Sequence, residues 1–251
     1  MVYLRDRREI EAIRVAAQLV ARTLEMLGRE IRPGVTTGGL DRLAETFIRD
    51  HGGRPAFKGY RGFPASICPS VNDEVVHAIP GSRRLVDGDV IGVDVGVEMG
   101  GYYGDSACTF AVGEITEEAR RLMQVTREAL LEGVARARGG NRVGDISHAI
   151  QTHVEHHGFS IVRSLVGHGI GREMHEEPQV PNFGPPDRGP RLMIGQVIAI
   201  EPMVNAGGAE VVTKSDGWTV VTKDGSLSAH FEHTVAVGPN GPEILSVVEG
   251  K

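Results

Sequence analysis

The chain is short of the features that would place it in several large classes of protein. It has only two cysteines in 251 residues, too few for a disulfide framework. No run of residues approaches the roughly 20 apolar positions of a membrane span, and the opening segment, residues 1–9, lacks the apolar core of a signal peptide. A reducing cytoplasm is the expected compartment. There is no Lys/Arg run, and the net charge of −6 argues against a nucleic-acid surface. No low-complexity linker divides the chain, and its 40% hydrophobic content supports a substantial core. The expected organisation is a single domain over residues 1–251.

What is present is organised around residues 88–112, two apolar strands joined at Gly100-Gly101 and carrying Asp94 and Asp105. A carboxylate in a run as apolar as Val90-Ile91-Gly92-Val93-Asp94-Val95 is costly unless cations or strong donors compensate it. With Gly100, Gly101 and Gly104 allowing an irregular register, a tight hairpin would turn both acids toward one site despite their odd spacing of eleven (105 − 94).

The same phrase recurs downstream. Arg84-Leu85 and residues 88–94 align with Arg191-Leu192 and residues 195–201, every pair 107 apart, so that Glu201 ends its strand as Asp94 ends the first. Sheet propensity accounts for repeated Val and Ile but gives no reason for an acid at the same strand end twice. Residues 32–52 likewise align with 138–158 at an offset of 106, keeping Gly34/Gly140, Gly38/Gly144 and His51/His157. Two related halves, roughly 5–115 and 116–245, are expected, each built as helix, helix and strands. The apolar periodicity predicts helices over 6–31, from Thr37 to His51-Gly52-Gly53, from a Thr116 cap onward, and through Val143, Ile146, Ile150 and Val154.

Two more polar groups lie in apolar settings in the second half. His168 sits among glycines in Val166-Gly167-His168-Gly169-Ile170-Gly171, where missing side chains would let a ligand approach the ring. Glu232 precedes a strand, residues 233–237, that resembles residues 108–112 at an offset of 125. The four carboxylates of Asp94, Asp105, Glu201 and Glu232, with the imidazole of His168, carry too many negative charges for a single small cation and suit two divalent ions sharing carboxylates. The oxygen-rich set favours Co, Mn, Fe or Zn over any thiolate-selected metal. By contrast, His153, His156 and His157 are better read as a solvated helix face, since no acid stands at a zincin spacing. Residues 175–178, His-Glu-Glu-Pro, cannot be a helical metal motif, because Pro178 would break the turn.

Taken together, residues 72–80 (Asn-Asp-Glu-Val-Val-His-Ala-Ile-Pro), Val93-Asp94-Val95-Gly96, Gly104-Asp105-Ser106-Ala107, Gly167-His168-Gly169-Ile170-Gly171, His175-Glu176-Glu177-Pro178, Glu201-Pro202 and Glu232-His233-Thr234 resemble the type I methionine aminopeptidases of the pita-bread metallopeptidase superfamily. The similarity covers nearly the whole chain. It implies an α+β fold of two pseudo-twofold-related halves, with antiparallel sheet inside and helices outside. It implies that Asp94 ligates one metal, His168 and Glu201 the other, and that Asp105 and Glu232 bridge both. It further implies that His175 stands beside the scissile carbonyl oxygen and His77 beside the peptide nitrogen, that Glu201 relays a proton, and that Tyr60, Phe63, Cys68 and Trp218 shape a methionine pocket. Ala78 stands where the family commonly has glycine, and Phe63 where tyrosine is frequent.

The implied activity is removal of the N-terminal methionine from nascent polypeptides, with a small second residue preferred. The expected partners are nascent-chain N-termini, with ribosome docking left open and neither nucleic acid nor membrane involved, and the expected state is a monomer. An Xaa-Pro aminopeptidase or prolidase would share the five ligands but usually carries an additional N-terminal domain. A non-catalytic pita-bread binding module would be marked by loss of ligands, and all five are present. The 33-residue gap between His168 and Glu201 leaves no room for the helical insertion of type II enzymes.

Overall fold

The computed structural model describes residues 2–248; residue 1 and residues 249–251, the ends of the expected 1–251 unit, lie outside the described residues. Four long helices form as the periodicity requires: α1 (Arg7–Glu30), α2 (Thr37–Asp50), α3 (Glu117–Arg136) and α4 (Val143–His156). Asp6 caps α1 by accepting from the Arg8 and Glu9 amides, which is why the helix begins one residue later than the apolar pattern suggests. Thr36 and Thr116 cap α2 and α3 in the same way, through Gly39 N and Ala119 N. Each helix buries one stripe, in α1 Ile13, Ala16, Ala17, Val20, Leu24 and Leu27. Full burial of each large apolar side chain contributes about 1.5–3 kcal/mol.

Val90–Met99 and Tyr102–Ala111 form the central hairpin, and Ile67–Val71 pairs with the outer edge of the first strand. The expected irregular register is not found. Gly100 and Gly101 alone make the turn, at φ 62° and 81°, and the ladder runs without interruption from Met99↔Tyr102 to Val90↔Ala111. With a two-residue turn, partners differ by an odd number, so an odd spacing itself places Asp94 and Asp105 on one face. Gly104 has a different role: a Cβ there would collide with the backbone of Ala17, so this glycine lets α1 lie directly on the strand.

The second half carries a five-stranded antiparallel sheet in the order Gly241–Ile244, His233–Gly238, Val197–Ile200, Val166–Gly169, Glu176–Pro181. Its glycines also depart from expectation. Side chains at Gly167 and Gly169 would strike the carbonyls of Ala199 and Glu177 on the flanking strands, so these glycines serve close strand packing and not ligand approach to His168.

The duplication seen in the sequence is also a duplication of hydrogen bonds. Gly34 N donates to Leu85 O at 2.8 Å and Gly140 N to Leu192 O at 2.9 Å, while Arg84 Nη1 reaches Gly34 O and Arg191 Nη1 reaches Gly140 O, both at 2.8 Å. Each half buries its own core, one spanning Leu19 to Val112 and the other Leu122 to Val237, with the helices outside the strands. The halves meet along the strands at 102–111 and 233–238. There Glu232 N donates to Ala107 O at 3.0 Å, and Thr109 and Thr234 each exchange hydrogen bonds with the backbone of the opposite half.

Candidate metal centre and active site

Five polar side chains converge where the two halves meet, each delivered by a different piece of sheet. Asp94 and Asp105 come from the hairpin, His168 from the Val166–Gly169 strand, Glu201 from just beyond Val197–Ile200, and Glu232 from just before His233–Gly238. One donor atom each of Asp105, His168 and Glu232 lie within 4.8 Å of one another. His168 Nε2 is 3.5 Å from Glu201 Oε1 and 3.8 Å from Asp105 Oδ2. Asp94 stands close enough to Asp105 for each carboxyl to act on the titration of the other.

Four carboxyl groups so close together and so buried cannot all be ionised without added positive charge. Burial pushes Asp94 up to about 7. Asp105, Glu201 and Glu232 are raised further, by burial first and then by the charges of the other acids in the group. Burial acts in the opposite sense on the imidazole, lowering His168 to about 4. Its Nδ1 lies 2.9 Å from Gly169 O, and a carbonyl can only accept, so Nδ1 carries the proton and Nε2 presents its lone pair to the carboxylates. Asp94 Oδ1, Asp105 Oδ1 and Glu232 Oε1 are buried without any hydrogen-bond partner in the protein. Buried acceptors without a partner in the protein, facing a neutral imidazole lone pair, are what divalent cations bind, so the residues present fit a metal centre.

The rest of the predicted site lines the same cavity, of about 140 Å³. Tyr60, Phe63, Cys68 and Trp218 form its wall together with the metal-facing group, His77 and His175. Phe63 and Trp218 meet edge to face, with centroids 5.2 Å apart at 75°. Cys68 pairs with Asp94 across the ladder and so points to the same face; its thiol is raised well above the usual value by burial and then by Asp94 and Asp105. His77 and His175 lie on loops at the rim. His77 follows the Glu74–Val76 strand with φ 58°, and its ring is lowered by burial. His175 precedes Glu176–Pro181, lies against His168 with ring centroids 4.1 Å apart and planes tilted by 39°, and meets Tyr60 Oη at 2.9 Å through Nδ1. It is exposed by area, yet its close surroundings lower it, through desolvation first and then through His168.

Phe57 and Arg61 also line the cavity and were not anticipated from sequence. Arg61 carries no local signal; it enters because residues 59–62 turn back with Arg61 at φ 49°, its guanidinium 5.3 Å from the Tyr60 ring centroid. His230 is a third omission, buried with Nε2 unpartnered beneath the site. The repeat held a sign of it, because His230 stands 125 beyond Asp105, the offset that relates their strands (230 − 105). A larger and shallower depression, about 740 Å³ and lined by α3 and α4 residues, lacks this convergence of perturbed groups.

Comparison with known proteins agrees with the geometry. The pattern of metallopeptidase family M24 matches residues 11–239. The methionine aminopeptidase of Clostridium perfringens is 54% identical over 249 residues, covering 99% of this chain and 100% of that protein. The crystal structure of methionine aminopeptidase from Rickettsia prowazekii superposes with a TM-score of 0.97 at 41% identity, covering 98% of this chain and 100% of that one. The prolidase from Pyrococcus furiosus superposes at a TM-score of 0.81 and 22% identity, covering 98% of this chain and 66% of that one, a likeness of fold alone.

Proposed function

The chain belongs to metallopeptidase family M24 and, within it, to the methionine aminopeptidases, and from that premise we infer that it hydrolyses the peptide bond following an N-terminal methionine. The observation that carries this reading is one cavity that joins an aromatic wall to a buried group of four carboxyls and an imidazole.

Asp94, Asp105, His168, Glu201 and Glu232 would hold two divalent ions, drawn from Co, Mn, Fe and Zn, with Asp105 and Glu232 shared, Asp94 on one side, and His168 and Glu201 on the other. When bound, the ions supply the charge against which the carboxyls ionise, together with Lewis acidity toward the scissile carbonyl and the attacking water. The remaining chemistry belongs to the protein. Glu201, at the edge of the carboxylate group, accepts the water proton and returns it to the departing amine. Tyr60 donates its phenol hydrogen to His175 Nδ1, which fixes a neutral ring with its proton on Nε2 and aims an N–H donor at the oxygen where negative charge develops. His77 contacts the scissile nitrogen. Tyr60, Phe63, Cys68 and Trp218 enclose the methionine side chain, and crowding by the rim favours a small second residue.

The substrates of this reading are nascent polypeptides, and the enzyme acts as a cytoplasmic monomer with residues 1–251 as a single catalytic domain. Among the described residues no helix is long and apolar enough to cross a membrane.

The test is release of free methionine from a Met-Gly-Met-Met peptide by metal-loaded protein, run beside an Xaa-Pro peptide. Methionine release should dominate. Faster turnover of the proline peptide would replace this reading with a prolidase-like one, and no turnover of either with metals bound would leave a binding module.

A further inference from the structure

Glu128 on α3 faces His153 on α4, with Oε2 3.2 Å from Nε2, and His157 lies one turn further on with its ring centroid 4.5 Å from that of His153. One donor atom from each of the three lies within 4.8 Å of the other two. The acid that the histidine spacing lacks in sequence is supplied by the neighbouring helix, 25 residues away. None of the three lines the cavity described above.

The internal repeat provides a control for what these residues do. At an offset of 106 they correspond to Arg22, Phe47 and His51 (22 + 106, 47 + 106, 51 + 106). The buried positions of α1 and α3 follow the same offset, as in Ile13/Ala119, Ala16/Leu122, Leu19/Val125 and Leu24/Leu130. His51 and His157 do one job in common, each donating Nδ1–H to the carbonyl four residues back, at 2.8 Å to Phe47 O and 2.7 Å to His153 O. Backbone capping therefore explains His157 and leaves its two partners unexplained. In the first half those partners are a ring and a cation, with Arg22 Cζ 5.9 Å from the Phe47 centroid. In the second half the same positions hold an imidazole and a carboxylate.

The surrounding bonds also orient the group for a ligand. The capping bond occupies Nδ1 of His157 and leaves Nε2 as its acceptor atom. Gln124 Nε2 donates to Glu128 Oε1 at 2.8 Å, which turns the other carboxylate oxygen toward His153. This hydrogen bond is the first cause, ahead of the His153 contact, that keeps the Glu128 carboxyl below its usual value and so ionised.

We propose that Glu128, His153 and His157 form a second metal site, binding one zinc-type divalent ion that clamps the end of α4 to α3, with a fourth position open to solvent. Two imidazoles and one carboxylate are a donor set suited to Zn²⁺, Ni²⁺ or Cu²⁺ rather than Mg²⁺ or Ca²⁺. Donors around tetrahedral zinc stand about 3.3 Å apart for bonds near 2.0–2.1 Å; Glu128 and His153 already stand at that spacing, and a small turn of the half-buried His157 ring, whose donor lies within 4.8 Å of theirs, closes the site. His153 also borders the depression of about 740 Å³ between α3 and α4, which gives an ion access without crossing the core.

The experiment is Zn²⁺ titration of the full chain against a chromophoric chelator, for the wild type, Glu128→Gln and His153→Phe, the last restoring the residue type of the first half. The wild type should take up one more equivalent of Zn²⁺ than His153→Phe, and Glu128→Gln should weaken that equivalent by roughly 100-fold. The added equivalent should shift the ring NMR signals of His153 and His157, and methionine release should be unchanged in both variants. Equal Zn²⁺ uptake and affinity in all three proteins overturns the site. Glu128→Gln keeps size and helix propensity, so the comparison stands even where His153→Phe fails to fold.

Discussion

Thr234 holds Asp105 by both ends of its backbone: its Oγ1 accepts from Asp105 N at 3.1 Å and donates to Asp105 O at 2.7 Å. Thr109 makes the same pair of bonds to His230, at 2.9 and 2.8 Å. One hydroxyl from each half thus pins the residue that faces it across the seam, but only one of the two pinned residues is a carboxylate. Replacement of Thr234 by valine should cost about 1–3 kcal/mol in thermal or denaturant unfolding, because it strands buried backbone groups. It should also weaken metal binding by displacing Asp105, whereas Thr109→Val should show a similar loss of stability with metal affinity near that of the wild type. Thr234→Ser should restore both. Equal metal affinity in Thr234→Val and the wild type would count against positioning through this hydroxyl.

Asp105→Asn should separate folding from metal binding. The acid is buried and raised by burial and by its charged neighbours, so its ionised form opposes folding when no cation is bound. The amide removes that cost, and the metal-free variant should unfold later than the metal-free wild type at pH 8. Metal titration of the same variant should show loss of paired binding. A variant that binds two ions as the wild type does would remove Asp105 from the centre.

The metal-free protein should lose stability as pH rises above 7. Asp105, Glu201 and Glu232 have folded-state values raised well above their unfolded ones, so the folded chain holds protons that the unfolded chain has released, and stability falls as they titrate. The depressed histidines His168 and His230, at about 4 and 3, act in the opposite sense, but only below the unfolded histidine value near 6.5. Above that they are neutral in both states. Each carboxyl still protonated only in the folded state contributes a slope of up to about 1.4 kcal/mol per pH unit. Melting curves from pH 7 to 8.5, with and without Mn²⁺, should show the decline and its removal by the metal.

His175→Ala should lower turnover of a methionine peptide by roughly two to three powers of ten while metal affinity stays nearly intact, as expected for a donor to the developing oxyanion. His77→Ala should act in the same direction with a smaller effect. Tyr60→Phe should fall between the wild type and His175→Ala, since it removes only the bond to Nδ1. Loss of a metal in either histidine variant would show that the residue is a ligand.

Trp218→Ala opens one wall of the cavity and breaks the edge-to-face contact with Phe63. Discrimination between methionine and other apolar first residues should shrink, read as the ratio of kcat/KM values for matched peptides. An unchanged ratio would make Trp218 a packing residue.

The sequence by itself determined the helices, the Thr116 cap and the duplication, because each rests on neighbours a few residues apart: a Thr before an apolar stripe, a glycine after it, an acid in a repeated Val/Ile phrase; that Asp94 lies within the strand Val90–Met99 and not at its end was visible only in the structure. It also marked Asp94, Asp105, His168, Glu201 and Glu232, since a charge in an apolar run requires an explanation wherever the run folds. Tertiary structure decided what faces what. Whether Asp94 and Asp105 share a face depends on the parity of the hairpin turn, and two residues at Gly100-Gly101, without irregularity, settle it. The glycines beside His168 answer to strands more than seven residues away in the chain, at Glu177 and Ala199, and so suggested a roomier imidazole than exists. Arg61 and Phe57 in the cavity and Glu128 opposite His153 carry no periodic signal, because the cavity they enter and the helix they face are built by segments distant in sequence, and contacts of that kind exist only once the two halves have closed on each other or two helices have packed.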